Sequence, residues 1–276
     1  MAKKRKFPRE KVSSKNAEAS NRQLLIILGL FVAFIVGLIA GALFLVDVLI
    51  SHLPVSVEQQ LGRVVVPIYE QQAQPSDTQT TLNQLVDQLE THLPADSDLN
   101  RDFQVLYVPD ETVNAIAIPG DRIIIYRGLL EDVESENELM MILGHELGHF
   151  AHRDHLRGVG RGLVIRVILA NILPGARSLE SFAVAVSGAR FSQSQERQAD
   201  EFGLDLLEAN YGHVGGATDF FRRLSQQRNL QVDFLSTHPS SKNRVRYLKR
   251  LIQKENYPVQ AVSPLPESLE NPAVKG

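Results

Sequence analysis

Cysteine is absent from this 276-residue chain, so no disulfide, thiolate ligand or Cys-linked lipid can form, and any metal must be held by His and carboxylates. That absence leaves the redox compartment open. Charge of either sign is missing from Leu24 to Val46, a run dominated by Leu, Ile, Val, Phe, Gly and Ala. The run is long enough to cross the hydrocarbon core as a helix. It exceeds the apolar core of a cleaved signal peptide, and no A-x-A-like site follows promptly. Residues 23–50 therefore read as one retained transmembrane helix, in contact with the bilayer through 24–46. Positive charge is scarce after Arg22. Residues 1–22 hold eight Lys/Arg against two Asp/Glu, and the rest of the chain holds 21 against 30. An acidic body argues against nucleic acid as a partner. The basic flank predicts a cytoplasmic N-terminus and an extracytoplasmic body, on the periplasmic side of an inner membrane if the source is bacterial.

Within the span, Gly29, Ala33, Gly37 and Gly41 recur every fourth residue. Small residues at this spacing let two helices approach closely, so the stripe is a candidate homodimer face; Gly and Ala are also common in spans for no such reason. Residues 1–22 read as a disordered basic cytoplasmic tail, and 51–80, ending in QQAQPSDTQT, as a linker. Leu82, Leu85, Leu89 and Leu93 mark an amphipathic helix. Three β-rich runs follow, Phe103 to Val108, Val113 to Ile118 and Arg122 to Tyr126, with turns at Pro109-Asp110 and Pro119-Gly120-Asp121. They predict a small sheet with at least one hairpin.

Ser135 and Glu138 are spaced as a capping box, starting a helix that contains His145-Glu146-Leu147-Gly148-His149. Residues four apart on a helix share a face, so both imidazoles offer nitrogen to one divalent ion, most often zinc. Glu146 sits at the edge of that face, within reach of a water beside the metal and placed as a general base. Leu139, Met140, Met141, Ile142, Leu143, Leu147 and Phe150 surround the motif with apolar side chains, so the helix is buried and its polar residues need a partner. The best third ligand is Glu196, on one helical face with Ala199, Gly203, Leu206 and Leu207. Asp200 shares that face and is expected to accept a hydrogen bond from the Nδ1–H of a ligand His. His152 and His155 read as complements to a helix C-terminus, outside the site. His52, His92 and His213 have no local partners. His238 lies in a turn before a helix, with Ser240 or Ser241 as caps, where a His can donate to an oxyanion. Gly158 to Arg190 is ambiguous. Leu163 to Leu173 is too short to span a membrane and reads as a helix packed on the domain or resting on the membrane surface.

HELGH at 145–149, ERQAD at 196–200 and STHPSSKNR at 236–244, in this order, resemble the M48 family of zinc metallopeptidases. VNAIAIPGDRIIIYRGLL at 113–130 is similar to the strand and turn before that family's zinc helix. The resemblance implies one zinc ion per chain held by His145, His149 and Glu196, with Glu146 as the catalytic glutamate and Asp200 as an outer partner. It further implies that Asn114 and Ala115 lie on an edge strand that pairs with a polypeptide substrate, that His238 reaches the scissile carbonyl, and that Arg244 lies in the site's surroundings. Family members with several spans form an intramembrane chamber; here one span is evident. The expected fold is α+β, a mostly helical zincin-type metallopeptidase domain (81–252) with a small β-sheet, preceded by one transmembrane helix and followed by a loose Pro-rich tail (253–276). The expected function is membrane-anchored proteolysis of misfolded envelope proteins. A zinc-containing, chaperone-like binding module with little turnover is the alternative, and the intact Glu146 argues against it.

Overall fold

The computed structural model describes residues 20–73, 75–172, 190–226, 232–239 and 241–272. The basic tail over 1–19 and residues 173–189 of the ambiguous 158–190 stretch lie outside the described residues. The chain divides into two units, residues 1–44 and 45–276.

The first unit is the greater part of helix α1 (Asn21–Ser51). Leu25, Phe31 and Phe34 are 68%, 60% and 62% exposed, so the helix has no core of its own to fill. By length and composition it can cross a membrane. Gly29, Gly37 and Gly41 open onto free space.

The second unit is mostly helical around three short strands. Strand β1 (Gln104–Val108) runs parallel to β3 (Arg122–Tyr126), and β2 (Ala115–Ile118) runs antiparallel to β3, giving the order β1-β3-β2. The β2–β3 hairpin turns at Gly120 (φ 93°) and Asp121 (φ 60°). Side-chain alternation sorts the sheet into two faces. Val105, Tyr107, Ala115, Ala117, Ile123 and Ile125 face the main core, whereas Val108, Ile116, Ile118 and Ile124 face a smaller cluster. Helix α3 (Asp77–Glu90) supplies Leu82, Leu85, Val86 and Leu89 to the main core. Its Asn83 and Gln79 side chains accept hydrogen bonds from Val105 N–H (2.8 Å) and Tyr107 N–H (2.7 Å), closing the outer edge of β1.

Two stretches differ from the sequence reading. The 51–80 linker contains helix α2 (Val55–Glu70), whose Val65, Val66 and Tyr69 cover the second face of the sheet. A Cβ on Gly62 would lie 2.3 Å from the Gly120 Cα, so only glycine allows α2 to sit this close to the hairpin turn. The Pro-rich tail is not loose over its described residues. Pro258 O and Ser263 O accept from Val214 N–H (2.8 Å) and Glu136 N–H (3.1 Å), and Leu269 in a short helix (Glu267–Glu270) is 1% exposed. The tail thus satisfies one amide that the N-terminus of the Glu136 helix leaves without an internal partner, and one in the loop after Tyr211.

After the brief helix α4 (Arg127–Asp132) comes α5 (Glu136–Ala151), every residue of which from Asn137 to Phe150 is buried. Helix α6 (Asp154–Ile172) follows, then α7 (Gln193–Tyr211). Helices α5 and α7 meet at glycine. A Cβ on Gly148 would stand 2.8 Å from the Ala199 Cα, and one on Gly203 would stand 2.9 Å from the His145 N. Backbone thus touches backbone, which brings side chains of the two helices together at their polar ends. Further helices among the described residues are α8 (Asp219–Gln226), α9 (Val232–Thr237) and α10 (Ser241–Glu255); Ser240, one candidate cap of the last, lies outside the described residues. Replacing Gly203 with Leu forces atoms into this contact. Overpacking of this kind costs about 1–3 kcal/mol, so the melting temperature of the full chain should fall clearly. An unchanged melting temperature would show that the helix pair has slack.

Candidate metal centre

Helix α5 starts at Ser135, whose Oγ accepts from Glu138 N–H (3.3 Å). The expected capping box is only half formed. The Glu138 carboxylate turns to Glu134 N–H (3.0 Å) and to the Arg223 guanidinium (2.7 Å), because an ion pair is the stronger interaction there. A complete capping box starts α7, where Ser192 and Gln195 exchange side-chain-to-backbone bonds. Glu196 follows directly, in the first turn of α7.

The close α5–α7 contact brings His145, His149 and Glu196 together, and His238 joins them from the end of α9. One nitrogen or oxygen from each of the four lies within 4.8 Å of the others. His145 Nε2 is 3.1 Å from His149 Nε2 and 3.3 Å from His238 Nδ1, while Glu196 Oε1 is 3.6 Å from His149 Nε2 and 3.0 Å from His238 Nδ1. A tetrahedral zinc with bonds of about 2.0–2.1 Å sets its donors roughly 3.4 Å apart, so the observed spacings suit that ion. The position of His238 is more central than an oxyanion donor requires. Its Nδ1 stands in the ring of donors, and its Nε2 lies 3.7 Å from Glu146 Oε1. Both His238 Nε2 and Glu146 Oε1 are buried and find no hydrogen bond among the described residues.

Charge gives a second test of fit. Glu146, Asp154, Glu196 and Asp200 are at most 1% exposed, and the buried guanidinium among them is Arg244, at 3%. Asp200 Oδ1 lies 3.0 Å from His145 Nδ1, which leaves Nε2 of that ring toward the other donors. Arg244 bridges the carboxylates, with Nη1 2.8 Å from Glu196 Oε2 and Nε 2.9 Å from Asp200 Oδ2, and lies 4.0 Å from the centre of the Phe221 ring. Burial pushes the Glu196 carboxyl up, but Arg244 and His238 outweigh it and hold the group well below its ordinary range. Burial and the Arg244 charge push the His145 imidazole down to about 4. Burial also pushes His149 down, yet Asp154 and Glu196 prevail and hold it up at about 9. The field that keeps a proton on His149 is one that a divalent cation at the four donors would satisfy instead.

The edge strand also reaches this centre. Tyr126 N–H donates to Asn114 O, so the bonded pairs of the β2–β3 ladder fall at even positions of β2, and the amides of Ala115 and Ala117 turn outward. Ala117 N–H donates to Glu146 Oε2 (2.9 Å). Ala115 N–H donates to the Asn114 side chain (3.0 Å), which also accepts from the Thr237 hydroxyl (3.4 Å). Asn114, immediately before the edge strand, and Ala115, its first residue, are both buried.

Residues 75–252 match peptidase family M48. The chain belongs to that family. Relatives include the mitochondrial metalloendopeptidase OMA1 of Arabidopsis thaliana, 30% identical over 53% of this chain and 31% of the relative. The metalloprotease LoiP of Escherichia coli is 30% identical over 50% of this chain and 58% of the relative. The beta-barrel assembly-enhancing protease of Yersinia pestis is 24% identical over 59% and 37%. The chain therefore spans between about a third and three-fifths of the length of these relatives.

Sequence spacing missed three members of this M48 site. Asp154 Oδ2 lies 3.2 Å from His149 Nδ1 and is steadied by Gln195 Nε2 (2.6 Å). It does for His149 what Asp200 does for His145. Its position beyond Arg153, at φ 56°, takes it out of the helical register that spacing can read. Phe191 stacks on the His149 ring at 3.8 Å and 14°. His155 does serve the helix terminus, its Nδ1 3.3 Å from His149 O, but spacing does not reveal its second contact. It is buried, with Nε2 2.9 Å from Glu58 Oε1 on α2, and so ties α2 to the end of the His145–His149 helix. His152 also complements the helix end, its Nδ1 2.8 Å from Gly148 O. If Asp154 orients His149, Asp154→Ala should weaken zinc binding by about ten- to a hundredfold, as read by competition with a fluorescent chelator. Unchanged affinity would reduce Asp154 to a packing role.

Proposed function

We propose that this M48 chain is a membrane-anchored, zinc-dependent endopeptidase that cuts unfolded or misfolded proteins of the cell envelope. The observation that carries the reading is the buried, unbonded Glu146 Oε1 beside four converging donors. His145, His149 and Glu196 would hold the ion, with Asp200 and Asp154 fixing the two rings. Bound zinc supplies Lewis acidity, acidifying a water and polarising a carbonyl. Glu146 keeps Oε2 on the Ala117 amide, which leaves Oε1 to take the proton from water and return it to the leaving amine. A substrate strand adding along Asn114 and Ala115 would gain backbone hydrogen bonds with little sequence selectivity, once the Asn114 side chain gives up the Ala115 amide. Relatives named as metalloendopeptidases and as a beta-barrel assembly-enhancing protease support an envelope role.

His238 has two readings. As a donor to the oxyanion it needs its free Nε2, 3.7 Å from Glu146. The position of Nδ1 in the ring of donors favours a second reading, in which His238 is a fourth ligand that substrate displaces.

Glu146→Gln should keep zinc and lose casein cleavage, whereas Glu196→Ala should lose zinc together with activity. Zinc without turnover in the wild type would favour the binding-module alternative, and full zinc in Glu196→Ala would exclude that residue as a ligand. On the same preparations, His238→Ala lowers kcat by about a hundredfold or more if the side chain serves the oxyanion. If it is a displaceable ligand, zinc affinity falls and kcat is kept.

The basic flank of α1 supports a cytoplasmic N-terminus, and the small-residue stripe Gly29, Ala33, Gly37 and Gly41 would serve a homodimer. A periplasm-active reporter fused after Gly276 should be active; activity of a cytoplasm-specific reporter there would reverse the topology.

A further inference from the structure

Beside the metal donors lies a cleft of about 200 Å³ that has Glu196 in its wall. The rest of its charged lining is all of one sign: Arg197, Arg244, Arg246 and Arg250. Pro239, next to His238, closes another side. Three of these guanidinium groups have no carboxylate partner among the described residues, a state they share with Arg63 and Arg122, and here all three line one cleft. Arg101, Arg127, Arg153, Arg161 and Arg223 elsewhere in the domain each meet a carboxylate. Arg197, Arg246 and Arg250 meet none within 4.0 Å among the described residues. Arg197 lies 5.8 Å from the centre of the Tyr247 ring, Arg246 bonds the Asn243 side chain, and Arg250 Nε bonds Arg246 O (3.3 Å). Arg197 is on α7; helix α10, which holds the other two, carries Lys242, Arg244, Arg246, Lys249, Arg250 and Lys254 against one acid, Glu255, in a body that is otherwise acidic.

We infer that this cleft is a subsite for a carboxylate of the bound polypeptide, next to the scissile bond. The inference rests on the peptidase reading and adds a specificity to it. The edge strand recognises backbone and is indifferent to side chains, so selectivity must come from pockets such as this one. Glu196 does not spoil the cleft for an anion, because Arg244 pairs with it at 2.8 Å. The uncommitted Arg197, Arg246 and Arg250 at the rim present planar forks suited to a carboxylate. Either an Asp/Glu side chain or the C-terminal carboxylate of the polypeptide supplies that group.

The test uses the full chain in detergent and one short unstructured peptide. Each position around its cleavage site carries Glu, Gln or Lys in turn, and each peptide is made as C-terminal acid and amide. Cleavage is followed with the zinc-loaded wild type, and binding by fluorescence anisotropy with the zinc-loaded Glu146→Gln form. One position should prefer Glu over Gln by about tenfold in kcat/KM and in Kd. The Arg246→Glu/Arg250→Glu pair should abolish that preference and favour Lys. The Lys249→Glu/Lys254→Glu pair, with the same charge change outside the cleft, should keep it. A preference for acid over amide at the terminus, lost in the same arginine pair, assigns the cleft to the chain end. Equal binding of Glu, Gln and Lys peptides, and of acid and amide, overturns the proposal. So does equal loss of preference in the two double variants. A Glu preference in Kd without cleavage of any peptide would uphold the subsite and sink the peptidase reading.

Discussion

Four buried carboxylates around two buried imidazoles are the constraint on which the domain depends. Glu146, Asp154, Glu196 and Asp200 are all but inaccessible to water, and Arg244 is the one buried guanidinium among them. Left to themselves, such anions would repel one another at short range in a medium that screens poorly. The structure answers in two ways. Arg244 divides itself between Glu196 and Asp200 while lying against the Phe221 ring, and the rings of His145 and His149 each turn Nδ1 to a carboxylate. The remaining negative field converges on the donors, which is where a divalent cation belongs. Backbone contact between α5 and α7 at Gly148 and Gly203 follows from the same need. A bulkier pair of helices would hold Glu196 away from the imidazoles.

The parts of the site that follow helical spacing were legible in the sequence. HELGH puts two imidazoles on one face, and the Glu196–Ala199–Gly203 stripe puts a carboxylate on an inward one; the structure brings them together with Asp200 beside His145. The strands were legible from their β-branched runs and intervening turns. What spacing could not reach were residues placed by turns and long-range contact. Asp154 is only five residues beyond His149, but Arg153 at positive φ breaks the register between them. His155 meets its partner Glu58 ninety-seven residues away.

Helix α2 escaped for a different reason. Its buried positions Glu58, Gly62, Val65, Val66 and Tyr69 do recur at helical spacing, but a charge and a glycine interrupt the apolar stripe, Pro67 lies inside the helix, and the polar QQAQPSDTQT follows at once. Its stability comes from the sheet it covers, as is common for helices held mainly by tertiary packing. The Pro-rich tail is held in part by main-chain carbonyls on the amides of Glu136 and Val214, and backbone bonds leave no residue signature.

Helix α2 bears on the geometry around Glu146. Along β2, Ala115 and Ala117 turn to the core, and Ile116 and Ile118 turn to the cluster that α2 completes. Amide direction alternates with the same period as side-chain direction, so a slip of one residue would reverse both. It would carry isoleucine into space now filled by alanine and strip the apolar cluster under α2. The outward amide now at Ala117 would turn back into the ladder, leaving Glu146 Oε2 without its partner. The helix within the stretch that reads as a linker therefore helps fix the strand register, and the register holds one oxygen of Glu146 while the other stays unbonded beside the donors.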